Sequence, residues 1–204
     1  MIKAVIFDFD GTLADSFPLA IECITELAKE KNANLNIKNF EKLKDKTIYD
    51  LIKHDFKISK YKLPFYIKKI KEKMLTKDKK IKLFKGIKTI INKLEKKYKV
   101  YILSSNYEQF IKDVLKKNKV NIDEVFPSSS IFGKSKSINK LLKEKKLNKN
   151  EIIYVGDEIR DIEACKKINV KIISVTWGFN SKKILEKYKP DYLIDEPKDL
   201  IKII

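Results

Sequence analysis

Residues 4–16 read AVIFDFDGTLADS, an apolar run that ends in two aspartates one residue apart, Asp8 and Asp10, followed at once by Gly11 and Thr12. In an extended chain alternate side chains share a face, so the two carboxylates point the same way. Like charges that close repel, and a cation, a proton or open water must offset the repulsion. Oxygen donors at this spacing can hold a hard cation. They can also bring a carboxylate nucleophile up to a phosphorus atom. Gly11 permits a sharp turn that exposes amide donors to an anion, and Thr12 adds a hydroxyl. A strand that merely ends in a turn would use the same Asp and Gly, so other stretches have to decide.

Three of them do. YILSSN, residues 101–106, ends an apolar run in Ser104, with Ser105 and Asn106 following. A hydroxyl beside helix N-terminal amides is a phosphate site, although Ser105 or Asn106 alone reads as a helix cap. IIYVGDEIRD, residues 152–161, ends in Asp157 and Glu158, with Asp161 one helical turn on. Capping accounts for one acid there. Three acids, beside Asp8 and Asp10, make a bound cation the economical reading. FGKSKSINKLL, residues 132–142, holds Lys134 and Lys136, and a lysine in the loop before a helix could balance an anion. In a chain this rich in lysine a solvated side chain is the competing reading.

The elements that must position these groups are legible in outline. Five short apolar runs, Ile2–Phe9, Val100–Leu103, Val125–Phe132 (interrupted by Pro127), Ile152–Val155 and Val170–Val175, have the unbroken, β-branched character of strands buried on both faces. Helical periodicity follows at Ile87–Lys97, Tyr107–Lys117, Lys136–Glu144 and Asp161–Ile168. The alternation predicts an α/β fold: a doubly wound parallel sheet, Rossmann-like, with right-handed crossovers. Ligands of such sheets bind at the carboxyl ends of the strands, where Asp8, Ser104 and Asp157 fall. The stretch from Ser16 to Phe84 differs, with no glycine and no convincing strand, and reads as helices at Leu19–Lys31, Asn39–Lys44, Ile48–Phe56 and Lys62–Leu75. The expected organisation is a catalytic core of residues 1–15 and 82–204 and a helical cap of residues 16–81, joined by hinges near Ala14–Phe17 and Lys79–Lys85.

The composition excludes several classes. The chain has 204 residues, 43% of them hydrophobic, enough for a full core and against disorder. No apolar run approaches the ~20 residues of a membrane span, and the first residues read as a strand with acids in it, not as a signal peptide. Cys23 and Cys165 match no metal or disulfide spacing, which predicts reduced thiols and a cytoplasmic location. The net charge is +18, yet the lysines are spread over every predicted helix and Arg160 is the only arginine. That pattern reads as a compositional bias, and nucleic acid is not the expected partner.

Taken in order, these residues resemble the four motifs of the haloacid dehalogenase-like superfamily of phosphohydrolases, in the branch with a small helical cap that includes phosphoglycolate phosphatases and β-phosphoglucomutases. D-x-D-G-T is Asp8 to Thr12; the Ser or Thr ending a strand is Ser104; the lysine is Lys134 or Lys136; G-D-x-x-x-D is Gly156, Asp157 and Asp161. The resemblance covers essentially the whole chain. It implies that Asp8 attacks phosphorus to form an aspartyl-phosphate, and that Asp10 protonates the leaving oxygen and then activates water. It implies Mg²⁺ on Asp8, Asp157 and the main-chain carbonyl of Asp10, with Glu158 and Asp161 around them. Gly11, Thr12, Ser104, Ser105 and Lys134 would bind the phosphoryl group. The second aspartate points to phosphate-ester chemistry, because the dehalogenases and phosphonate-cleaving members of the superfamily lack it.

Two departures stand out. Where the family often writes Lys-Pro-x-Pro, this chain has Lys134-Ser135-Lys136-Ser137, and Lys134 fits the family distance to Asp157 better. The cap lacks the glycine-containing specificity loop of related caps; the equivalent region, residues 42–52, offers Lys44, Lys46 and Thr47 as substrate-facing residues. His54 reads as a surface or packing residue of the cap, and Trp177, Gly178 and Phe179 as a loop bordering the site. The expected protein is a Mg²⁺-dependent phosphomonoesterase of a small metabolite, monomeric by default. A phosphosugar mutase and a basic binding module on the same fold are the alternatives.

Overall fold

The computed structural model describes residues 1–30, 44–46, 61–77, 81–122, 124–128 and 133–204. Six strands, β1 (Ala4–Phe7), β2 (Lys99–Ser104), β3 (Val125–Pro127), β4 (Ile152–Gly156), β5 (Lys171–Val175) and β6 (Tyr192–Ile194), form one sheet in the order β3-β2-β1-β4-β5-β6. Every pairing is parallel, with Val5 of β1 opposite both Val100 and Ile153. The strands read as unbroken apolar runs because both faces are covered. Val5, Phe7, Ile102, Ile153 and Val155 turn to one face, under helices α3 (Ile87–Leu94) and α4 (Glu108–Lys117). Ala4, Ile6, Leu103, Tyr154 and Ile172 turn to the other, under α5 (Lys134–Lys145) and α6 (Ile159–Lys167). The seams of these helices follow the helical period, with Ile87, Ile90, Ile91 and Leu94 of α3 all buried. Two short helices, α7 (Lys182–Lys187) and α8 (Leu200–Ile203), complete the core.

The segment between the first strand and α3 begins with α1 (Phe17–Glu30) and ends with α2 (Leu63–Leu75). Cys23, Ile24 and Leu27 of α1 share a buried cluster with Ile70 and Met74 of α2. Lys77 pairs with Glu22 at 2.8 Å and Lys73 with Glu30 at 2.7 Å across the same contact. None of the described residues between 16 and 81 joins the sheet. Where the chain leaves and re-enters the core its two passes lie side by side: the Asp15 amide donates to the Lys82 carbonyl at 2.9 Å and the Phe84 amide to the Leu13 carbonyl at 3.0 Å. The predicted helix at Ile48–Phe56, most of that at Asn39–Lys44, Thr47 and His54 lie outside the described residues.

Four expectations need correcting. The first strand stops at Phe7 instead of Phe9, because the Phe9 carbonyl turns to accept the amides of Leu13 and Ala14 at 3.0 and 2.9 Å. The third strand stops at Pro127, at the sheet edge, with the Ser128 amide still donating to the Ser104 carbonyl at 2.8 Å; residues 129–132 of the predicted run lie outside the described residues. A sixth strand, β6, was not among the five predicted; its three residues are too short for a period to register. Helix α5 starts at Lys134, two residues early, so Lys134 is the first residue of a helix and not part of a loop. Both cysteines are buried and free, and no helix among the described residues is long and apolar enough to cross a membrane.

Candidate active site

The carboxyl ends of β1, β2 and β4 adjoin one another, and the acids predicted from the sequence meet there. Asp8 follows β1 directly, its amide donating to the Val155 carbonyl of β4 at 2.9 Å. Its carboxylate is only 3% exposed. One oxygen accepts the Phe9 amide at 2.8 Å and the other accepts Lys134 Nζ at 2.6 Å. The same ammonium donates to Asp161, which is fully buried on α6. Lys134 thus lies between the first and fourth motifs, while Lys136 is exposed on the outer face of α5. Burial opposes the Lys134 charge, but Asp161 and Asp8 outweigh it and hold its pKa well above the ordinary range. Its ammonium also lies 5.4 Å from the centre of the Tyr154 ring, within cation–π reach.

Asp157, at the end of β4, is fully buried. One of its oxygens accepts the Thr12 hydroxyl at 2.7 Å and the other the Phe179 amide at 2.7 Å. A side chain at either Gly11 or Gly178 would collide with this carboxylate, and Gly11 also has a φ of +75°, so both positions require glycine. Asp8, Asp157 and Asp161 each present an oxygen within 4.8 Å of the others. Burial, then the charges of Glu158, Asp161 and Asp8, push the Asp157 carboxyl well above its usual range. Burial and the neighbouring acids likewise raise Asp161, to about 6, against the pull of Lys134. Such a cluster of buried oxygen donors, short of positive charge, is suited to a hard divalent cation.

Asp10 stands apart from this cluster. Its carboxylate accepts the side-chain amide of Asn106 at 3.2 Å. Burial and the neighbouring Asp8 raise its pKa, against the lowering influence of Ser16, Asn106 and Lys71. Two neighbouring aspartates are therefore given different environments: Asp8 faces the Lys134 ammonium, while Asp10 is set against Asn106 with its pKa raised.

Ser104, 1% exposed at the end of β2, accepts the Asn106 amide on its hydroxyl oxygen at 3.0 Å, which leaves its own O–H to donate. The Ser105 carbonyl accepts Lys71 Nζ from α2. Glu158 pairs with Arg160, and its amide donates to Asp161 at 3.1 Å. Gly11 and Thr12, expected at the phosphate, both make hydrogen bonds within the protein. The Gly11 amide donates to the Ala14 carbonyl at 2.9 Å, and the one hydroxyl proton of Thr12 is committed to Asp157. The turn thus closes a hydrogen bond of its own, and Thr12 holds Asp157.

Three groups were not singled out for these positions. Asn106, read as a helix cap, also carries Asp10. Lys71 arrives from α2, in one of many lysine-rich stretches. Asn180 is fully buried and accepts the Ile159 amide at 2.9 Å. Its own side-chain amide donates to the carbonyls of Lys44 and Lys46 at 2.9 and 3.2 Å. Beside it the Ser181 amide donates to the Lys44 carbonyl at 3.0 Å, and its hydroxyl bonds Asp45. Lys44 and Lys46 are therefore fastened by their main chain to the loop after β5, next to the fourth motif. Trp177 of that loop donates its indole N–H to the Thr12 carbonyl at 3.1 Å.

Comparison with known proteins agrees with this geometry. A family model described as haloacid dehalogenase-like hydrolase matches residues 5–175. The chain is 26% identical to a phosphoglycolate phosphatase of Synechococcus elongatus, covering 100% of this chain and 97% of that protein. It is also 26% identical to the pyrophosphatase PpaX of Bacillus cereus (strain Q1), covering 100% and 96%. Among solved structures, a predicted phosphatase from Clostridium acetobutylicum superposes with a TM-score of 0.86 at 20% identity, covering 100% of this chain and 98% of the other. A haloacid dehalogenase-like family hydrolase from Streptococcus pneumoniae superposes with a TM-score of 0.82 at 22% identity, covering 99% and 98%. At those identities the structural likeness speaks for the fold alone.

Proposed function

The chain belongs to the haloacid dehalogenase-like hydrolase family, and on that premise we propose that it is a Mg²⁺-dependent phosphatase that hydrolyses a phosphate monoester of a small metabolite. The observation that carries the reading is the placing of Lys134 between Asp8 and Asp161, beside Asp157, with Asp10 held separately by Asn106. The names of the similar proteins, phosphoglycolate phosphatase and pyrophosphatase, support a small phosphorylated substrate.

In this reading an Asp8 oxygen attacks phosphorus from the side opposite the leaving oxygen. The bond from Asp8 to phosphorus forms as the ester P–O bond breaks, and Asp10 gives its proton to the departing alkoxide. Water then attacks the aspartyl-phosphate. Asp10 takes the proton back, and inorganic phosphate leaves with Asp8 restored. Lys134 and the Ser104 hydroxyl face the phosphoryl oxygens and offset their charge. Asp161 keeps the Lys134 ammonium in place. The all-oxygen, charge-crowded donor set fits a hard divalent cation: Asp8 and Asp157, with the Asp10 main-chain carbonyl, would hold Mg²⁺, which when bound supplies positive charge against the phosphoryl oxygens. Residues 16–81 act as a cap over this site. Its closure would keep water away during the first transfer.

The test is release of inorganic phosphate from para-nitrophenyl phosphate and from a panel of metabolite phosphates, with Mg²⁺ and with chelator. Acid quenching during turnover traps the phospho-enzyme. Asp8→Asn, a near isostere that is a poor nucleophile, is expected to abolish both the trapped species and turnover. Turnover that persists in a clean Asp8→Asn preparation would remove the nucleophile assignment. Phosphate release that requires a sugar bisphosphate primer would make the protein a mutase instead.

A further inference from the structure

Lys71 is the one cation at the site that comes from outside the α/β core on a described helix. It projects from α2, and its Nζ donates to the Ser105 carbonyl, one residue from the Ser104 hydroxyl and one from Asn106, which carries Asp10. An ammonium has three protons to donate. Among the described residues, Lys71 uses one of them, and no carboxylate lies within ion-pair distance of it. It is partly buried, so its charge is held at a cost, and burial lowers its pKa despite the opposing fields of Asp10 and Asp8. Arg160 of α6 lies near enough to lower it further. An anion bound against the Lys71 ammonium offsets that cost.

We propose that Lys71 forms a subsite for a second anionic group, so that this enzyme selects phosphate compounds whose leaving group carries a carboxylate or phosphate of its own. The inference rests on the phosphatase reading and narrows it. In that reading Asp10 meets the leaving oxygen, and Lys71 stands on Asp10's side of the phosphorus, not on the Lys134 side. The transferring phosphoryl group is served by Lys134 and Ser104; Lys71 is left for what departs. Its reach from α2 also makes the charge arrive only when that helix is seated on the core.

The experiment compares kcat/KM for phosphoglycolate, pyrophosphate and ethyl phosphate, with Mg²⁺, in wild type and in Lys71→Met, Lys71→Gln and Lys71→Arg. Wild type is expected to prefer both charged compounds. Met and Gln should each lower the ratio of charged to uncharged substrate by about 10- to 100-fold, as expected for a bond to a charged group, and Arg should retain most of it. Gln keeps a donor for the Ser105 carbonyl, so a ratio preserved in Gln but lost in Met would mean a structural strut and overturn the inference. Equal losses on all three substrates, or a wild type that prefers ethyl phosphate, would overturn it while leaving the phosphatase reading intact. A wild type that turns over no phosphate ester would remove that reading and this one together.

Discussion

Replacing Lys134 with methionine keeps the length of the side chain and removes its charge. The residue is 8% exposed, and its partners Asp8 and Asp161 are 3% and 0% exposed. Removing one partner from a buried ionic cluster costs about 3–5 kcal/mol, because the acids left behind have neither water nor a counter-charge. In a chain of this size 1 kcal/mol moves Tm by about 2–4 °C, so Lys134→Met should melt about 6–20 °C lower in metal-free buffer at pH 7.5. The sign of the pH dependence follows from Asp161. Its folded value, about 6, exceeds the ordinary 3.8, so the folded state keeps a proton that the unfolded chain gives up. Its contribution to stability therefore falls as pH rises from about 4 through 6. Without Lys134, which pulls that value down, the penalty grows and reaches to higher pH. The deficit of the variant should be largest at pH 7.5 and shrink toward pH 4, where Asp161 keeps its proton in the folded state. Adding Asp8→Asn removes one of the two orphaned charges, so the double variant should melt above Lys134→Met alone. Scanning calorimetry at the two pH values, with chelator present, gives all three comparisons. A deficit under about 2 °C at pH 7.5, or one of equal size at pH 4, would show that the ammonium is not what holds these acids.

Asp10→Ala should lose about 10²–10⁴-fold on alkyl phosphates, whose alkoxide needs a proton, and far less on para-nitrophenyl phosphate in single-turnover formation of the phospho-enzyme; equal losses would make Asp10 structural. Mg²⁺ should raise Tm at pH 7.5, since the raised values of Asp157 and Asp161 mark a site short of positive charge, and the rise should fade toward pH 5 as protons take the place of the metal. A Tm indifferent to Mg²⁺ at both pH values would count against the cluster as the metal site. Asn180→Ala leaves the buried Ile159 amide and the Lys44 and Lys46 carbonyls without their partner. It should cost about 1–3 kcal/mol in a denaturant titration, and a change below about 0.5 kcal/mol would show those bonds to be replaceable by water.

Much of the fold was legible because a parallel sheet covered on both faces writes its strands as unbroken apolar runs, as at Ile152–Gly156. β6 escaped, since three residues at an edge carry no period and Tyr192 is exposed. The acids of the site were legible for a different reason: Asp8, Asp157 and Asp161 sit at fixed steps from strand ends, so spacing along the chain carries over into space. Lys134 was separable from Lys136 only once the register of α5 was known, because two lysines two residues apart point to different sides of a helix. The use made of Thr12, Asn106, Lys71 and Asn180 was not legible. Each acts through a hydrogen bond to a group distant in sequence, and nothing local distinguishes a threonine that holds Asp157 from one that holds a ligand.

The fastening of residues 44–46 has a consequence for how such a protein can change. Asn180 grips the carbonyl oxygens of Lys44 and Lys46, and the Ser181 amide grips the first of these as well. A main-chain carbonyl is the same on every residue, so these grips are blind to which side chains stand at positions 44 and 46. Replacement there leaves the anchoring bonds in place. The loop after β5 behaves as a socket and the segment as an exchangeable bit. Variation at 44 and 46 keeps the carbonyls that these grips use, whereas a change at Asn180 removes two of the three.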